Sequence, residues 1–142
     1  MNKQTIRAEI KRYLADQHEI LFAYIFGSFV EEERFRDIDI AIYTGTELDL
    51  LRLGLMETEL GERVSKSVDL TCLNNMPGNH PAFVYAIVTN GELLLNKNPQ
   101  HHTRFKKKTL LHYFDTAHLR REIDKAFSKR LESDKFGQRN YE

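Results

Sequence analysis

The sequence predicts an α/β (α+β) fold, a small mixed β-sheet with flanking helices and a C-terminal helical tail. Three observations predict it. The run ILFAYIF at residues 20–26 is continuously apolar and ends at Gly27-Ser28, the pattern of a strand buried on both faces. The segment DIDIAI at residues 37–42 alternates, so Asp37 and Asp39 leave one face of a strand and the isoleucines the other. Segments with apolar residues at helical spacing lie before, between and after these runs.

Taken in order, the first segment is an amphipathic helix with Ile6, Ile10, Tyr13 and Leu14 on one side. The strand at 20–26 follows, then FVEEERFR, a short polar turn or helical piece, and the DIDIAIY strand. Thr46, followed three residues later by Asp49, resembles a capping box. The helix it would start carries Leu48, Leu51, Leu55 and Leu60 and ends near Gly61. SVDLTCL at 67–73 is a third strand, and NNMPGNHP is a turn with Pro81 suited to a helical first turn. The helix AFVYAIVTN stops at Gly91, and GELLLN at 91–96 is a last strand. His101 and His102 could bind a metal, but their polar flank favours a loop. From Thr103 the tail is helical through Leu110, Tyr113, Phe114, Ala117, Ile123, Phe127 and Leu131, with a kink at Asp115 to His118 and a frayed end from Ser133. Tyr113 and Phe114 are expected in the core, and the helices mainly on one side of the sheet.

At 142 residues, 41% hydrophobic and 30% charged, the chain is expected to form one domain with a real core. Residues 1–100 form that core and residues 101–142 a helical extension packed on it. No apolar run approaches a membrane span, and the N-terminus lacks the apolar stretch of a signal peptide. The single cysteine, Cys72, cannot make an internal disulfide; a buried thiol in a reducing cytoplasm is expected. Formal net charge is zero but unevenly spread: residues 1–100 carry 10 basic and 15 acidic side chains, residues 101–142 carry 11 and 6. An acidic body argues against coating of nucleic acid by the whole chain, and no sequence-specific nucleic-acid binding is expected. The basic tail, with Lys106, Lys107 and Lys108, is a solvated helix face or a docking surface for an acidic partner.

The chemistry lies in carboxylates. Asp37 and Asp39 on one strand face repel each other and gain nothing from burial. A hard divalent cation between them removes the conflict, since Mg²⁺ binds through one or two carboxylates plus substrate phosphates. Asp69 adds a third carboxylate inside an apolar strand, where a lone charge is costly. Gly27 permits a tight turn after the buried strand, and its amide with the Ser28 hydroxyl can hold a phosphate oxygen. Each feature alone is common; together they point to phosphoryl or nucleotidyl chemistry.

The string YIFGSFVEEERFRDIDIAI, followed downstream by VDL, resembles the DNA polymerase β-like nucleotidyltransferase superfamily. The small size and the tail FKKKTLLHYFDTAHLRREI are similar to its minimal members, the MntA-type antitoxins of HEPN/MNT toxin–antitoxin systems. The resemblance implies the nucleotidyltransferase fold and a two-metal mechanism. Asp37 and Asp39 would ligate two Mg²⁺ ions bridging to the triphosphate of ATP. Asp69 would hold the metal beside the attacking hydroxyl and help remove its proton. Gly27 and Ser28 would grip the β- and γ-phosphates. It further implies transfer of AMP to a tyrosine of a cognate HEPN-domain toxin, held in a hetero-oligomer and silenced by the modification.

Two departures from the family pattern stand out. The eight residues between Ser28 and Asp37 are fewer than the commonest spacer, and Phe29, Val30 and Glu31 replace small and basic residues. Glu31, Glu32 and Glu33 disfavour a nearby triphosphate unless they point to solvent, and Arg36 or Arg34 could supply the missing positive charge. Two other readings are open: a catalytically weak module that neutralises its partner by binding alone, and transfer to a small molecule such as an aminoglycoside.

Overall fold

The computed structural model describes residues 1–137, without the side chains of Arg120 and of residues 131–137. Its elements are α1 (Lys3–Ala15), β1 (Ile20–Phe26), α2 (Ser28–Glu31), β2 (Asp37–Thr44), α3 (Leu50–Val64), β3 (Ser67–Cys72), α4 (Met76–Asn79), α5 (Pro81–Asn90), β4 (Glu92–Asn96) and α6 (Pro99–Gly137). The strands form one mixed sheet in the order β3-β2-β1-β4. β1 pairs antiparallel with both β2 and β4, and β2 pairs parallel with β3. The predicted order of helices and strands holds, with α4 as an additional short turn.

Helices cover both faces of the sheet, not mainly one as the sequence suggested. On the first face, Ile6, Ile10 and Leu14 of α1 and Met56, Leu60 and Val64 of α3 meet Ile38, Ile40 and Ile42. On the second, Val84 and Ile87 of α5 and Phe105 of α6 meet Phe22, Tyr24 and Ala41. The reason lies in β1, whose alternate side chains are apolar on both faces. Ala23 and Ile25 enter the first core while Phe22 and Tyr24 enter the second, and neither set can be left to water.

α3 departs most from expectation. Its N-cap is Asp49, whose carboxylate accepts from the Arg52 N–H at 2.8 Å, so Thr46 makes no capping box. The helix runs through Gly61 and stops at Ser65 in a left-handed conformation, φ 57°. Starting at Leu50, it turns Met56, Leu60 and Val64 to the sheet and leaves Leu51 and Leu55 83% and 51% exposed. Two apolar stripes compete along this helix, and the one facing the sheet is buried.

Two contacts hold β3 in place. Asn74 accepts from the Thr44 N–H at 3.0 Å and donates to the Thr44 carbonyl at 2.6 Å, bracing the ends of β2 and β3. On the edge strand, the Leu70 N–H donates to Glu57 Oε2 of α3 at 2.7 Å, which occupies a donor that open edges leave free. Gly91 ends α5 with extended backbone; a Cβ there would lie 2.5 Å from the Ile87 carbonyl, so its role is close approach.

α6 begins at Pro99, earlier than expected, and continues without a break past Asp115 to His118 and Ser133. Residues 138–142 and the packing of Leu131 lie outside the described residues. The first turns of α6 take in both histidines, which correct the predicted loop. His102 is buried between Tyr24, 2.7 Å from Nε2, and Asn96, 3.3 Å from Nδ1. Asn98 N–H donates to Asn96 Oδ1, which turns the Asn96 amide N–H₂ toward His102 Nδ1. His102 therefore carries its proton on Nε2 and donates it to the Tyr24 oxygen. Burial, with Lys106 nearby, holds the His102 pKa below its ordinary value, and burial pushes Tyr24 up to about 12. Tyr113 stacks on Tyr85 at 3.8 Å, whereas Phe114 is exposed, contrary to its expected place in the core. Lys106, Lys107 and Lys108 are exposed, and Cys72 is half-buried, its thiol donating to Asn74 Oδ1 at 3.2 Å. Among the described residues no helix is long and apolar enough to cross a membrane.

Candidate active site

The three carboxylates come together on the second face of the sheet, just beyond the edge of its apolar core. Asp37 opens β2 opposite Ser67, and Asp39 sits opposite Asp69 on the parallel neighbour β3. Side chains in register on adjacent strands stand about 4.8 Å apart at the backbone, so Asp39 and Asp69 are close neighbours. Asp37 and Asp69 are exposed; Asp39, between β1 and β3, is half-buried. Its pKa is raised first by burial, then by the charges of Asp69 and Asp37. An unbalanced negative field is therefore built into this end of the sheet.

Gly27 is bound to that field by geometry. Its backbone, φ 77° and ψ −152°, lies in a region open essentially to glycine alone. A Cβ there would also come within 2.5 Å of Asp39 Oδ2. The chain thus passes directly over the middle carboxylate, and only a residue without a side chain fits. Ser28 then begins the single turn of α2, half-buried, with the Val30 and Glu31 N–H groups donating back to the Gly27 carbonyl.

The unusual spacer is anchored from beneath, a feature sequence reasoning missed. Phe29 is fully buried and meets Phe35 edge-on at 4.7 Å. The Lys3 ammonium lies 5.1 Å from the Phe29 ring and 5.5 Å from the Phe35 ring, and donates to the carbonyls of Phe29 and Glu32. The two phenylalanines in an otherwise charged segment were the signal. Glu31, Glu32 and Glu33 are exposed, as a triphosphate site would require. Arg34 and Arg36 are exposed as well, and among the described residues no hydrogen bond or ion pair is recorded for either. Arg36 stands immediately before Asp37.

As a donor set, this arrangement suits a hard divalent cation better than a soft one, being all carboxylate oxygen. Among the described residues no group of three His, Cys, Asp or Glu side chains is drawn together as it would be around a metal ion; the aspartates stand in an open row. An open row of carboxylates leaves coordination positions for phosphate oxygens and water, the usual habit of Mg²⁺.

The mixed sheet thus carries Gly-Ser at the end of one strand and three aspartates on its neighbours. Comparison with protein families matches residues 8–100 to Polymerase beta, Nucleotidyltransferase. The chain belongs to this family. Among solved structures, it is similar to a chain of the tri-AMPylated Shewanella oneidensis HEPN toxin in complex with MNT antitoxin, at 24% identity and a TM-score of 0.68, over 89% of this chain and 98% of that one. A toxin–antitoxin structure with AMP-PNP is 25% identical, TM-score 0.69, over 86% of this chain and 98% of that one. The toxin–antitoxin MntA-HepT is 24% identical, TM-score 0.67, over 88% and 98%. A search of curated proteins finds no match.

Proposed function

We propose that the chain is an Mg²⁺-dependent adenylyltransferase antitoxin of the cytoplasm, which transfers AMP from ATP to a tyrosine hydroxyl of a cognate HEPN toxin. The observation that carries it is the register of Asp39 against Asp69, with Gly27 folded over Asp39. The relatives bound to AMP-PNP or to an AMPylated toxin support the nucleotide and the partner. Residues 1–100 would supply the catalytic core and residues 101–142 the extension.

The residues divide the work as follows. Asp37, Asp39 and Asp69 would hold Mg²⁺, which when bound neutralises charge on the triphosphate and on the entering and leaving oxygens. Gly27 N–H and the Ser28 hydroxyl would bind the β- and γ-phosphates. Arg36 would reach the triphosphate from the edge of β2. Asp69, on the exposed outer strand, would receive the proton of the acceptor hydroxyl. The acceptor oxygen then bonds to the α-phosphorus as the bond to the β-phosphate bridge breaks, and pyrophosphate leaves.

The test is incubation with α-labelled ATP, Mg²⁺ and the product of the adjacent gene. Wild type should label that protein and Asp39→Asn should not; equal behaviour of the two overturns the proposal. If a variant lacking all three carboxylates binds and neutralises the partner as well as wild type does, the chain acts by binding alone.

A further inference from the structure

We infer that Phe83 of α5, backed by Phe26 of β1, holds the nucleobase of the nucleotide by stacking; this rests on the proposed use of a nucleoside triphosphate. Phe26 lies opposite Asp39 in the antiparallel pair of β1 and β2. Directly opposed residues share a sheet face, with Cβ atoms about 4.5 to 5.5 Å apart. Phe26 therefore stands beside the middle carboxylate, on the side away from Asp69. The Phe83 ring meets that of Phe26 nearly at right angles, with centroids 5.8 Å apart and planes at 82°. A half-buried ring thus supports one that is 41% exposed.

The pair is firmly placed. Val84 and Ile87 bury one side of α5 in the second core. The helix ends where a Cβ on Gly91 would lie 3.3 Å from the Cβ of Phe26, so α5 is seated against the residue that Phe83 touches. The Phe83 ring nevertheless stays open to water, and a flat apolar ligand laid on it would be favoured by its burial. Chemistry selects the occupant. A phosphate gains nothing from two neutral rings whose faces carry partial negative charge. A nucleobase is flat, uncharged at neutral pH and not repelled by the aspartates beside it, and aromatic side chains bind bases through their π-faces. Position agrees with chemistry. The acceptor hydroxyl would approach Asp69 on the outer strand, and pyrophosphate would leave at Gly27 and Ser28. The nucleoside is then left with the flank that α5 borders, where Phe26 stands one strand from Asp39, a gap of about 4.8 Å that a ribose can bridge.

The experiment compares two probes on the full chain, AMP-PNP and inorganic tripolyphosphate, each with Mg²⁺. Stacking on an aromatic side chain changes affinity by about fivefold to 150-fold per base. Phe83→Ala and Phe83→Leu should weaken AMP-PNP by that factor and leave tripolyphosphate unchanged. Leucine keeps apolar bulk against Phe26, so it tests the ring separately from the packing. The chain has no tryptophan, and Phe83→Trp places a single fluorophore at the site. Its emission should be quenched by AMP-PNP and not by tripolyphosphate, with AMP-PNP affinity retained. Equal quenching by both probes, or unchanged AMP-PNP affinity in both the Ala and Leu variants, overturns the inference. Loss of both probes in those variants also overturns it, because the ring would then be only a prop for the phosphate site. If labelling of the adjacent gene's product falls while AMP-PNP affinity holds, Phe83 faces the acceptor and the inference fails. Wild type that prefers AMP-PNP to tripolyphosphate, loses that preference in Phe83→Ala and labels no partner refutes the transfer reaction and leaves the base site standing.

Discussion

Replacing Asp39 by Asn should yield a protein that is more stable and catalytically inert. Asp39 is forced by strand register to face Asp69, with backbones about 4.8 Å apart. Two unit charges at that distance repel by about 1 kcal/mol in water and roughly 3.5 kcal/mol at an effective dielectric of 20. Asp69 is exposed, so screening places the gain near the lower limit, about 1 kcal/mol. For a chain of this size that raises the melting temperature by about 3 °C. The pH dependence has a definite sign. A folded-state pKa raised above the ordinary 3.8 means that folding favours the protonated carboxyl. Wild type therefore keeps this contribution below 3.8 and loses it as pH rises through the raised value. The advantage of Asn should appear at neutral pH and vanish in acid. Thermal melts of both proteins from acid to neutral pH measure it. Added Mg²⁺ should raise the melting temperature of wild type more than that of the variant, because ligand binding stabilises the fold that binds it. A variant that melts below wild type at neutral pH, or a difference that does not change with pH, would refute the electrostatic reasoning.

Four other outcomes are expected. Gly27→Ala should destabilise the protein by about 1 to 3 kcal/mol from backbone conformation alone and should abolish transfer by displacing Asp39; denaturant melts and the labelling assay report these separately. Phe29→Ala should cost about 3 to 5 kcal/mol in urea unfolding, since the ring is fully buried beneath the loop. Stability should decline as pH falls below 6.5, the ordinary histidine value, because His102 is held neutral in the fold and binds its proton more readily when unfolded. That slope, at most about 1.4 kcal/mol per pH unit, should disappear in His102→Gln while the remaining profile persists. Finally, Gly54→Ala should stabilise α3 by up to about 1 kcal/mol, as a Cβ there meets nothing within 4 Å; a lower melting temperature would contradict it.

Much of the scaffold was legible before the fold was known. β1 was readable because a strand sandwiched between two cores must be apolar at every position, and β2 because its isoleucines face one core while its aspartates face away from it. α1 was readable because a single apolar stripe, Ile6 to Leu14, meets a single core. α3 was misread for the opposite reason: it carries leucines on two sides, and local spacing cannot tell which side will meet the sheet. His102 of α6 was misread because its polar neighbours hide a buried network formed with Tyr24 and Asn96, residues distant or separated by a turn. Phe29 stood out only as a departure from the family pattern, and its anchoring contact with Phe35 was not legible, because a loop gives apolar pattern no period to follow.

The sequence by itself determined the class of chemistry, because Gly-Ser and the three aspartates are local choices that an ordinary sheet would not make. It also determined that Asp37 and Asp39 share a face, since the side-chain period of a strand is two. Only the tertiary structure decided that Asp69 stands opposite Asp39 and that Gly27 lies against the carboxylate of Asp39. Register between two parallel strands joined through α3 depends on helix packing and on the Asn74 brace, neither of which is encoded within either strand. The charge conflict is written in the residues; the distance across which Asp39 meets Asp69 is set by the fold.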